Sequence, residues 1–261
     1  NSIITNVFYL TSFMKIISLV PSITLLICDL GLENQIVGRT KFCIHPAGKV
    51  KKIPIVGGTK NVDFQKIQLL NPDIIFSTKE ENTKEDILAL KKSFKVIVFE
   101  VDNLADNYKM IEKIGKLTQT EAKAQLIIQQ TKAKFEELIS YFRPSNLPTL
   151  YFIWRKPYMT VGKDTFIHSL LAAMGLKNMF EHQTRYPIIQ NLKTSYLEKC
   201  KLILLSSEPY PFSEKHIKEF QEQLPQAQIL LVDGEFFSWY GSKMIDAPKY
   251  FKEILSKIKV E

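Results

Sequence analysis

The 261-residue chain is predicted to be an α/β protein with two lobes, because three features occur together. Short, continuously apolar segments alternate with segments of helical period in both halves, as in parallel-sheet α/β folds. One long helical segment without a strand signal separates the halves. The length corresponds to about 1.7 average domains. We therefore predict an N-terminal α/β lobe at 14–115, a linking backbone helix at 116–148 and a C-terminal α/β lobe at 149–261.

The N-terminal half contains apolar runs bounded by turn residues, which predict strands. These runs lie at 15–20, 35–38, 73–77 and 95–99. Helices are predicted between them at 23–30, 63–70 and 84–92. Ser22 is the expected N-cap of the first helix, and Gly31 lies just beyond its end.

The central segment 119–142 is predicted to be one long helix. Its apolar positions recur every three or four residues and form a one-sided stripe, Ile128, Thr131, Phe135, Leu138 and Phe142. Pro144 and Pro148 then end the helix.

Alternation resumes in the C-terminal half with apolar runs that again predict parallel strands. The predicted strands are 149–153, 202–206 and 228–232. The predicted helices are 164–175, 213–223 and 247–257, with a short helical piece at 196–199.

Composition excludes several classes of protein. The chain has 35 Lys and Arg against 27 Asp and Glu, a net charge of +8, but the lysines are scattered and do not interleave with aromatic residues. A nucleic-acid or membrane-surface protein is therefore the less favoured interpretation of this charge. Three cysteines at wide spacing cannot form a disulfide framework. Nucleotide-loop motifs (GxGxxG, GxxxxGK[ST]) and the HExxH and GxSxG motifs are absent from the sequence.

The location of the protein is left open by its N-terminal sequence. The sequence contains no run of about 20 apolar residues that would span a membrane. Residues 1–13 lack a cationic region and a small-residue cleavage site, so they are not predicted to be a signal peptide. Met14 is a candidate native start, because the first strand signal follows it directly. A cytoplasmic location therefore stays possible.

The candidate binding residues follow the predicted strands, where open α/β sheets bind their ligands. Both tryptophans are among them, and such loop tips are normally small and polar. The rings could either be buried between the lobes or line a pocket for a large flat ligand, with cations for its acidic groups. The candidates are Arg39, Lys41, Trp154, Arg155, Tyr158, Glu208, Tyr210, Phe212, Trp239 and Tyr240.

A metal site is a weaker hypothesis. Cys43 and His45 are spaced as two ligands for zinc or a transition metal, and His216 follows another strand. Packing or capping roles for these residues are more common than metal binding. A Cys–His catalytic dyad from the same residues has no local signature and is disfavoured.

Several motifs together resemble the periplasmic binding proteins with a helical backbone, which include the vitamin B12-, ferric-siderophore- and haem-binding components of ABC importers. The N-terminal matches are 17–26 (ISLVPSITLL), Val37-Gly38-Arg39 with Val56-Gly57-Gly58, and 70–75 (LNPDII). The C-terminal matches are 162–167 (GKDTFI), Gly175, Asn178 and Tyr186-Pro187. The segments 40–46 (TKFCIHP) and 206–212 (SSEPYPF) are most similar to the cobalamin-binding branch.

This resemblance implies a periplasmic or cell-envelope receptor that is not an enzyme and has no intrinsic cofactor. Its ligand would be a cobalt- or iron-containing chelate held between two lobes, with Cys43, His45 or His216 as possible axial ligands. Its partners would be the permease and ATPase subunits, and it would act as a monomer without membrane insertion or nucleic acid.

The resemblance also implies one transporter-docking carboxylate on each lobe. Lys84 occupies the usual N-terminal position, so Glu81 and Glu85 beside it are the candidates there, with Glu214 in the second lobe. The alternative function is a cytosolic protein or enzyme that handles a metal or cofactor in the same cleft.

Overall fold

The structure is a computed structural model that describes residues 13–141 and 146–259. The chain divides into two compact units, one up to Val98 and one from Phe99 onward. The expectations for residues 1–12, for Phe142 and for Pro144 lie outside the described residues. No helix in the described ranges is both long and apolar enough to cross a membrane.

The N-terminal unit is built on a four-stranded sheet in the order β2-β1-β3-β4. Its strands are β1 (Ile16–Ser18), β2 (Ile36–Arg39), β3 (Ile74–Thr78) and β4 (Val96–Phe99). The central strand β1 pairs in parallel with both β2 and β3. All residues of β1 and β3 are buried, which explains why these strands are continuous apolar runs without alternation.

The helices of this unit are α1 (Pro21–Asp29), α2 (Ala47–Val50), α3 (Phe64–Leu70) and α4 (Lys84–Leu90). The predicted N-cap of α1 is wrong: the helix starts at Pro21, and no side chain caps it. Proline suits the first helical turn because its missing N–H would have no helical partner there. The helix α3 is capped by the Asp63 carboxylate and α4 by the Thr83 hydroxyl.

The helix predicted at 119–142 corresponds to α6 (Glu121–Tyr141), and a further helix, α5 (Leu104–Thr118), precedes it where the sequence predicted no element. Gln119 between the two helices adopts a left-handed conformation with φ 57°. The Asn103 side chain caps α5 by accepting a hydrogen bond from the Asp106 N–H. Both helices group with the C-terminal unit, whose boundary therefore lies earlier than the predicted 149.

The long helix α6 packs along α5 and contacts further helices of the C-terminal unit. The predicted stripe is confirmed within the described part of the helix, since Ile128, Thr131, Phe135 and Leu138 are all buried. Its 21 residues span about 31 Å. The helix is therefore a packed element of this unit, with a buried stripe on one side and exposed residues such as Ile139 on the other.

The C-terminal unit contains a second parallel sheet in the order β10-β9-β5-β7. These strands are β5 (Leu147–Phe152), β7 (Leu176–Asn178), β9 (Leu202–Ser206) and β10 (Gln228–Val232). The short strands β6 (Tyr158–Met159) and β8 (Ile188–Ile189) pair antiparallel beside it. The remaining helices are α7 (Phe166–Ala173), α8 (Glu214–Gln223), α9 (Glu235–Ser238) and α10 (Ala247–Ser256).

Replacing Phe135 by alanine should destabilise the C-terminal unit by about 3–5 kcal/mol, because it removes a buried ring that meets Phe251 at a centroid distance of 6.3 Å. Ile139→Ala on the exposed side of α6 is the matched control and should cost less than about 0.5 kcal/mol. Urea denaturation followed by circular dichroism measures both. Equal effects of the two substitutions would contradict the assigned face of the helix.

Candidate functional site

In the N-terminal unit, the loop after β2 alternates between buried and exposed side chains. Phe42 is 50% exposed and Ile44 is 53% exposed, whereas Cys43 between them is fully buried. The Lys41 ammonium lies 5.0 Å from the centre of the Phe42 ring, within cation–π range. The loop therefore presents two apolar side chains and one cation to solvent.

Arg39 was predicted to bind a ligand's acidic group, but its guanidinium is used inside the protein. The side chain is 7% exposed and donates hydrogen bonds to the carbonyl oxygens of Val50 and Thr40, at 2.8 and 3.1 Å. These bonds fix the ends of the loop that carries Phe42. Of the two cations predicted in this unit, Lys41 is the one whose side chain is exposed.

Asn82 joins the loops at the carboxyl edge of this sheet. It is 6% exposed, and its side-chain oxygen accepts a hydrogen bond from the Thr78 N–H. Its amide group donates to the carbonyl oxygens of Thr59 at 3.0 Å and Leu19 at 3.4 Å. One buried side chain thus satisfies backbone groups of three separate segments, which need partners where the strand ladder ends.

The metal hypothesis is not supported by the surroundings of the three predicted ligands. The Cys43 sulfur contacts the Thr40 hydroxyl at 3.2 Å, and burial raises the pKa of its thiol, which disfavours the thiolate that binds metals. His216 belongs to the C-terminal unit, where it is 2% exposed. His45 is half-buried in the N-terminal unit. No group of three or more His, Cys, Asp or Glu that could hold a metal occurs among the described residues.

His216 caps helix α8. Its Nδ1 accepts a hydrogen bond from the Ser213 N–H at 2.9 Å, so the ring proton resides on Nε2. Nε2 lies 3.2 Å from the Tyr210 hydroxyl oxygen and donates to it. The prediction of a metal ligand is therefore replaced by a capping and positioning role, because both ring nitrogens are already engaged.

The chain's three thiols should not react in the native protein. Burial raises the pKa of Cys28 to about 11 and that of Cys200 to about 12, and Cys43 is fully buried. We expect labelling by a disulfide reagent at pH 8 only after denaturation, with no effect of added zinc or cobalt. A native thiol that labels quickly, or that added metal protects, would contradict this assignment.

In the C-terminal unit, three ring residues that are not fully buried lie in the segments that follow β5 and β9. Trp154 is 39% exposed and meets Tyr210 edge to face, with ring centres 5.7 Å apart. The Trp154 indole N–H donates to the Lys156 carbonyl oxygen at 3.1 Å. Tyr158 and Tyr210 are half-buried and pack against the core of the unit. We refer to Trp154, Tyr158 and Tyr210 as the aromatic cluster.

Glu219, on helix α8, contacts the loop that carries this cluster. One carboxylate oxygen accepts hydrogen bonds from Nε and Nη2 of Arg155 at 2.9 and 2.7 Å, and the other accepts from the Tyr158 hydroxyl at 2.5 Å. Partial burial alone would raise the pKa of Glu219, but these hydrogen bonds and the Arg155 charge bring it below its usual value. Burial and the adjacent carboxylate raise the pKa of Tyr158 to about 12.

Glu208, predicted to bind ligand, instead organises the end of β9. Its Oε1 accepts hydrogen bonds from the Ser238 hydroxyl at 2.5 Å and the Trp239 indole N–H at 3.1 Å. Gly234 lies so close that a Cβ there would be 2.5 Å from the Glu208 Cγ. Burial, and then the charges of Glu235 and Asp233, raise the pKa of Glu208.

Three rings predicted to stack on a ligand are instead packed in the C-terminal unit. Phe212 belongs to its hydrophobic core, and Trp239 is 7% exposed with its N–H on Glu208. Tyr240 is 4% exposed and packs edge to face on Phe166. Apolar rings next to a parallel sheet gain more from burial than from exposure, so these residues are assigned to packing.

Glu208→Gln should preserve the hydrogen bonds, because a glutamine oxygen can accept from both Ser238 and Trp239. A carboxyl whose pKa is raised on folding contributes stability below its unfolded pKa of about 4.3, and this contribution is lost as pH rises through the folded value. The variant does not titrate, so its stability relative to the wild type should increase between pH 4 and pH 8. Thermal unfolding of both proteins across this range measures the difference, and a pH-independent difference would contradict a raised pKa of Glu208.

The proposed docking carboxylates differ in environment. Glu85 and Glu214 are exposed in the first turns of α4 and α8, where a negative charge interacts favourably with the helix dipole. Glu81 is half-buried, and its N–H donates to the Thr78 hydroxyl. A docking role for these three residues stays a prediction.

A shallow depression of about 510 Å³ lies elsewhere on the C-terminal unit. Its walls include Phe180, His182, Ile188 and Tyr196, and none of the predicted ligand-binding residues lines it.

Two residues that organise these surfaces were not predicted from the sequence. Glu219 lies on helix α8 and Asn82 follows β3, and nothing in the sequence distinguishes them from other polar residues. Phe42 and Ile44 could have been found, because exposed apolar residues in a strand-end loop are a signal of binding.

Comparison with known proteins identifies the family. Residues 16–226 match the family described as periplasmic binding protein, so the chain belongs to that family and is a binding protein rather than an enzyme. An uncharacterized ABC transporter substrate-binding lipoprotein of Bacillus subtilis (strain 168) is 30% identical over 187 residues. This match covers 65% of the present chain but only 56% of the relative.

Solved structures share the fold. The periplasmic vitamin B12-binding protein of Vibrio cholerae has a TM-score of 0.77 and 19% identity, over 93% of this chain and 97% of that one. A periplasmic haem-binding protein of Vibrio cholerae has a TM-score of 0.78 and 19% identity, over 94% and 99% of the two chains. At these identities the similarity establishes the fold, and it confirms the predicted α/β class with parallel sheets.

Proposed function

We propose that the chain is the substrate-binding component of an ABC importer that captures a metal chelate without chemical change. A corrinoid such as cobalamin is the first candidate ligand, and a ferric siderophore or haem is the next. Family membership supports this class of ligand, and so do the vitamin B12- and haem-binding functions of the similar solved proteins. The observation that carries the proposal is the aromatic cluster at the carboxyl ends of β5 and β9.

The aromatic cluster suits the face of a large, flat, partly apolar ligand. Aromatic contacts contribute about 0.5–1.5 kcal/mol each beyond the area they bury, and micromolar binding requires about 8.2 kcal/mol in total. Trp154, with 39% of its surface exposed, has the largest contact area to offer in the cluster. Neighbouring side chains already hold the rings, so less side-chain freedom is lost when a ligand binds.

The predicted cations, each taken within its own unit, favour a ligand with few acidic groups. In the C-terminal unit, Arg155 is paired with Glu219 and presents no uncompensated cation. In the N-terminal unit, the guanidinium of Arg39 is directed to backbone carbonyl groups, whereas Lys41 has an exposed side chain that suits a carboxylate or phosphate. A corrinoid, whose side chains are mainly amides, fits this pattern better than a dicarboxylate such as haem. We therefore place a corrinoid before haem as the candidate ligand.

The partners and the location follow from the same proposal. The protein would deliver its ligand to permease and ATPase subunits, act as a monomer, and work on the outer side of the cytoplasmic membrane. Glu85 and Glu214, exposed at helix starts, are the carboxylates best placed to meet basic residues of a permease. The cytosolic metal-handling alternative lacks a matching donor set in the described residues.

Replacement of Trp154 by alanine should weaken binding of the preferred chelate about tenfold, which corresponds to the loss of about 1.4 kcal/mol. The measurement is isothermal titration of the purified protein with cobalamin, cobinamide, haem and a ferric hydroxamate siderophore. We expect the strongest heat with a corrinoid.

Tyr196→Ala is the matched control, because Tyr196 is 41% exposed but lies just before the 3-10 turn that precedes β9. It should leave the affinity unchanged. If the wild-type protein binds none of the four ligands, the proposed function is wrong. If it binds one and Trp154→Ala has no effect, the aromatic cluster is not the binding surface.

A further inference from the structure

One carboxylate binds two side chains in the chain segment that carries Trp154 and Tyr158 of the aromatic cluster. Glu219 is on helix α8, whereas the two side chains that it binds, Arg155 and Tyr158, belong to the segment after β5. All three of its hydrogen bonds are 2.9 Å or shorter, and two of them come from a guanidinium, which makes them charge-assisted and directional. Helix α8 is thereby joined to the loop that carries Trp154.

The same helix also fixes the remaining ring. The Nε2 of His216 donates to the Tyr210 hydroxyl, and the rings of Tyr210 and Trp154 pack edge to face with centres 5.7 Å apart. Helix α8 is therefore connected to the surroundings of Trp154 twice, by Glu219 through Arg155 and by His216 through Tyr210.

Of these two connections, the one through Glu219 acts on the loop of Trp154 itself. Trp154 is exposed, so packing alone does not fix its ring, and its neighbours must supply the constraint. Arg155 and Tyr158 both follow Trp154 in the chain, and both bond to Glu219. Without the carboxylate, the guanidinium and the phenol would turn to water, and the loop would lose these hydrogen bonds to α8.

We propose that Glu219 is a positioning residue that sets the orientation of Trp154 and thereby the ligand affinity of the aromatic cluster. The inference rests on the proposed function, and it assigns a role to a helix residue outside the aromatic cluster. Glu219 acts through Arg155 and Tyr158, and neutralising it should loosen the cluster without unfolding the unit. The free energy of ligand binding then includes the cost of reordering the rings.

The test uses Trp154 as its own reporter. The chain has two tryptophans, so Trp239→Phe in the full chain leaves Trp154 as the single indole. In this background, Glu219→Gln should increase acrylamide quenching of Trp154 and weaken binding of the preferred chelate about fivefold. Glu222→Gln removes the same charge from an exposed position of α8 and is the matched control. It should change neither the quenching of Trp154 nor the affinity for the chelate.

Tyr158→Phe is the second variant, because it deletes one hydrogen bond of Glu219 and preserves the ring. It should shift quenching and affinity in the same direction as Glu219→Gln, by a smaller factor. If Glu219→Gln does not fold, Tyr158→Phe is the variant that tests the positioning role of Glu219. Folding of each variant is checked by its cooperative thermal transition.

The outcomes separate this inference from the proposed function. Unchanged quenching and affinity in folded Glu219→Gln would overturn the positioning role, and so would weaker binding with unchanged quenching. If the parent protein binds none of the chelates, the proposed function fails, while quenching alone still decides whether Glu219 orders Trp154. Increased quenching with weaker binding in Glu219→Gln, and neither in Glu222→Gln, supports the proposal.

Discussion

The strand-end surfaces of both units depend on buried polar side chains that replace the hydrogen bonds of the sheet where its strands stop. A parallel strand ends with backbone groups that the next strand no longer satisfies, and a buried unpaired group is costly. In the N-terminal unit, Asn82 supplies these bonds to three segments. In the C-terminal unit, the Ser206 hydroxyl donates to the Glu208 carbonyl oxygen, and the Glu208 carboxylate holds Ser238 and Trp239.

This constraint also explains which of the expected binding residues are available. Arg39 and Glu208 lie at strand ends, and each is used to hold its own loop. Arg155 is in a loop and is neutralised by Glu219. These charged side chains therefore hold loops within their own unit. The loops that they hold carry exposed rings and apolar side chains.

Glu208 illustrates the energetic side of this arrangement. Its carboxylate is half-buried and lies near two other acids, so the ionised form is disfavoured in the folded protein. A charge removed from water stabilises the folded state only where its hydrogen bonds are well made. Otherwise the charged group mainly selects one arrangement of its neighbours. Glu208 fixes Ser238 and Trp239 in one arrangement beside the end of β9.

Local periodicity was enough to predict the α/β class, most of the strands and the buried stripe of α6. The sequence also located the loops of Trp154 and Tyr210, since ligands of parallel sheets bind at strand ends. It could not separate Trp154, which is exposed, from Trp239, which is buried. Nor could it find Glu219, 64 residues from Arg155. Such pairings are set when the chain folds, because burial and hydrogen-bond partners depend on which distant segments meet.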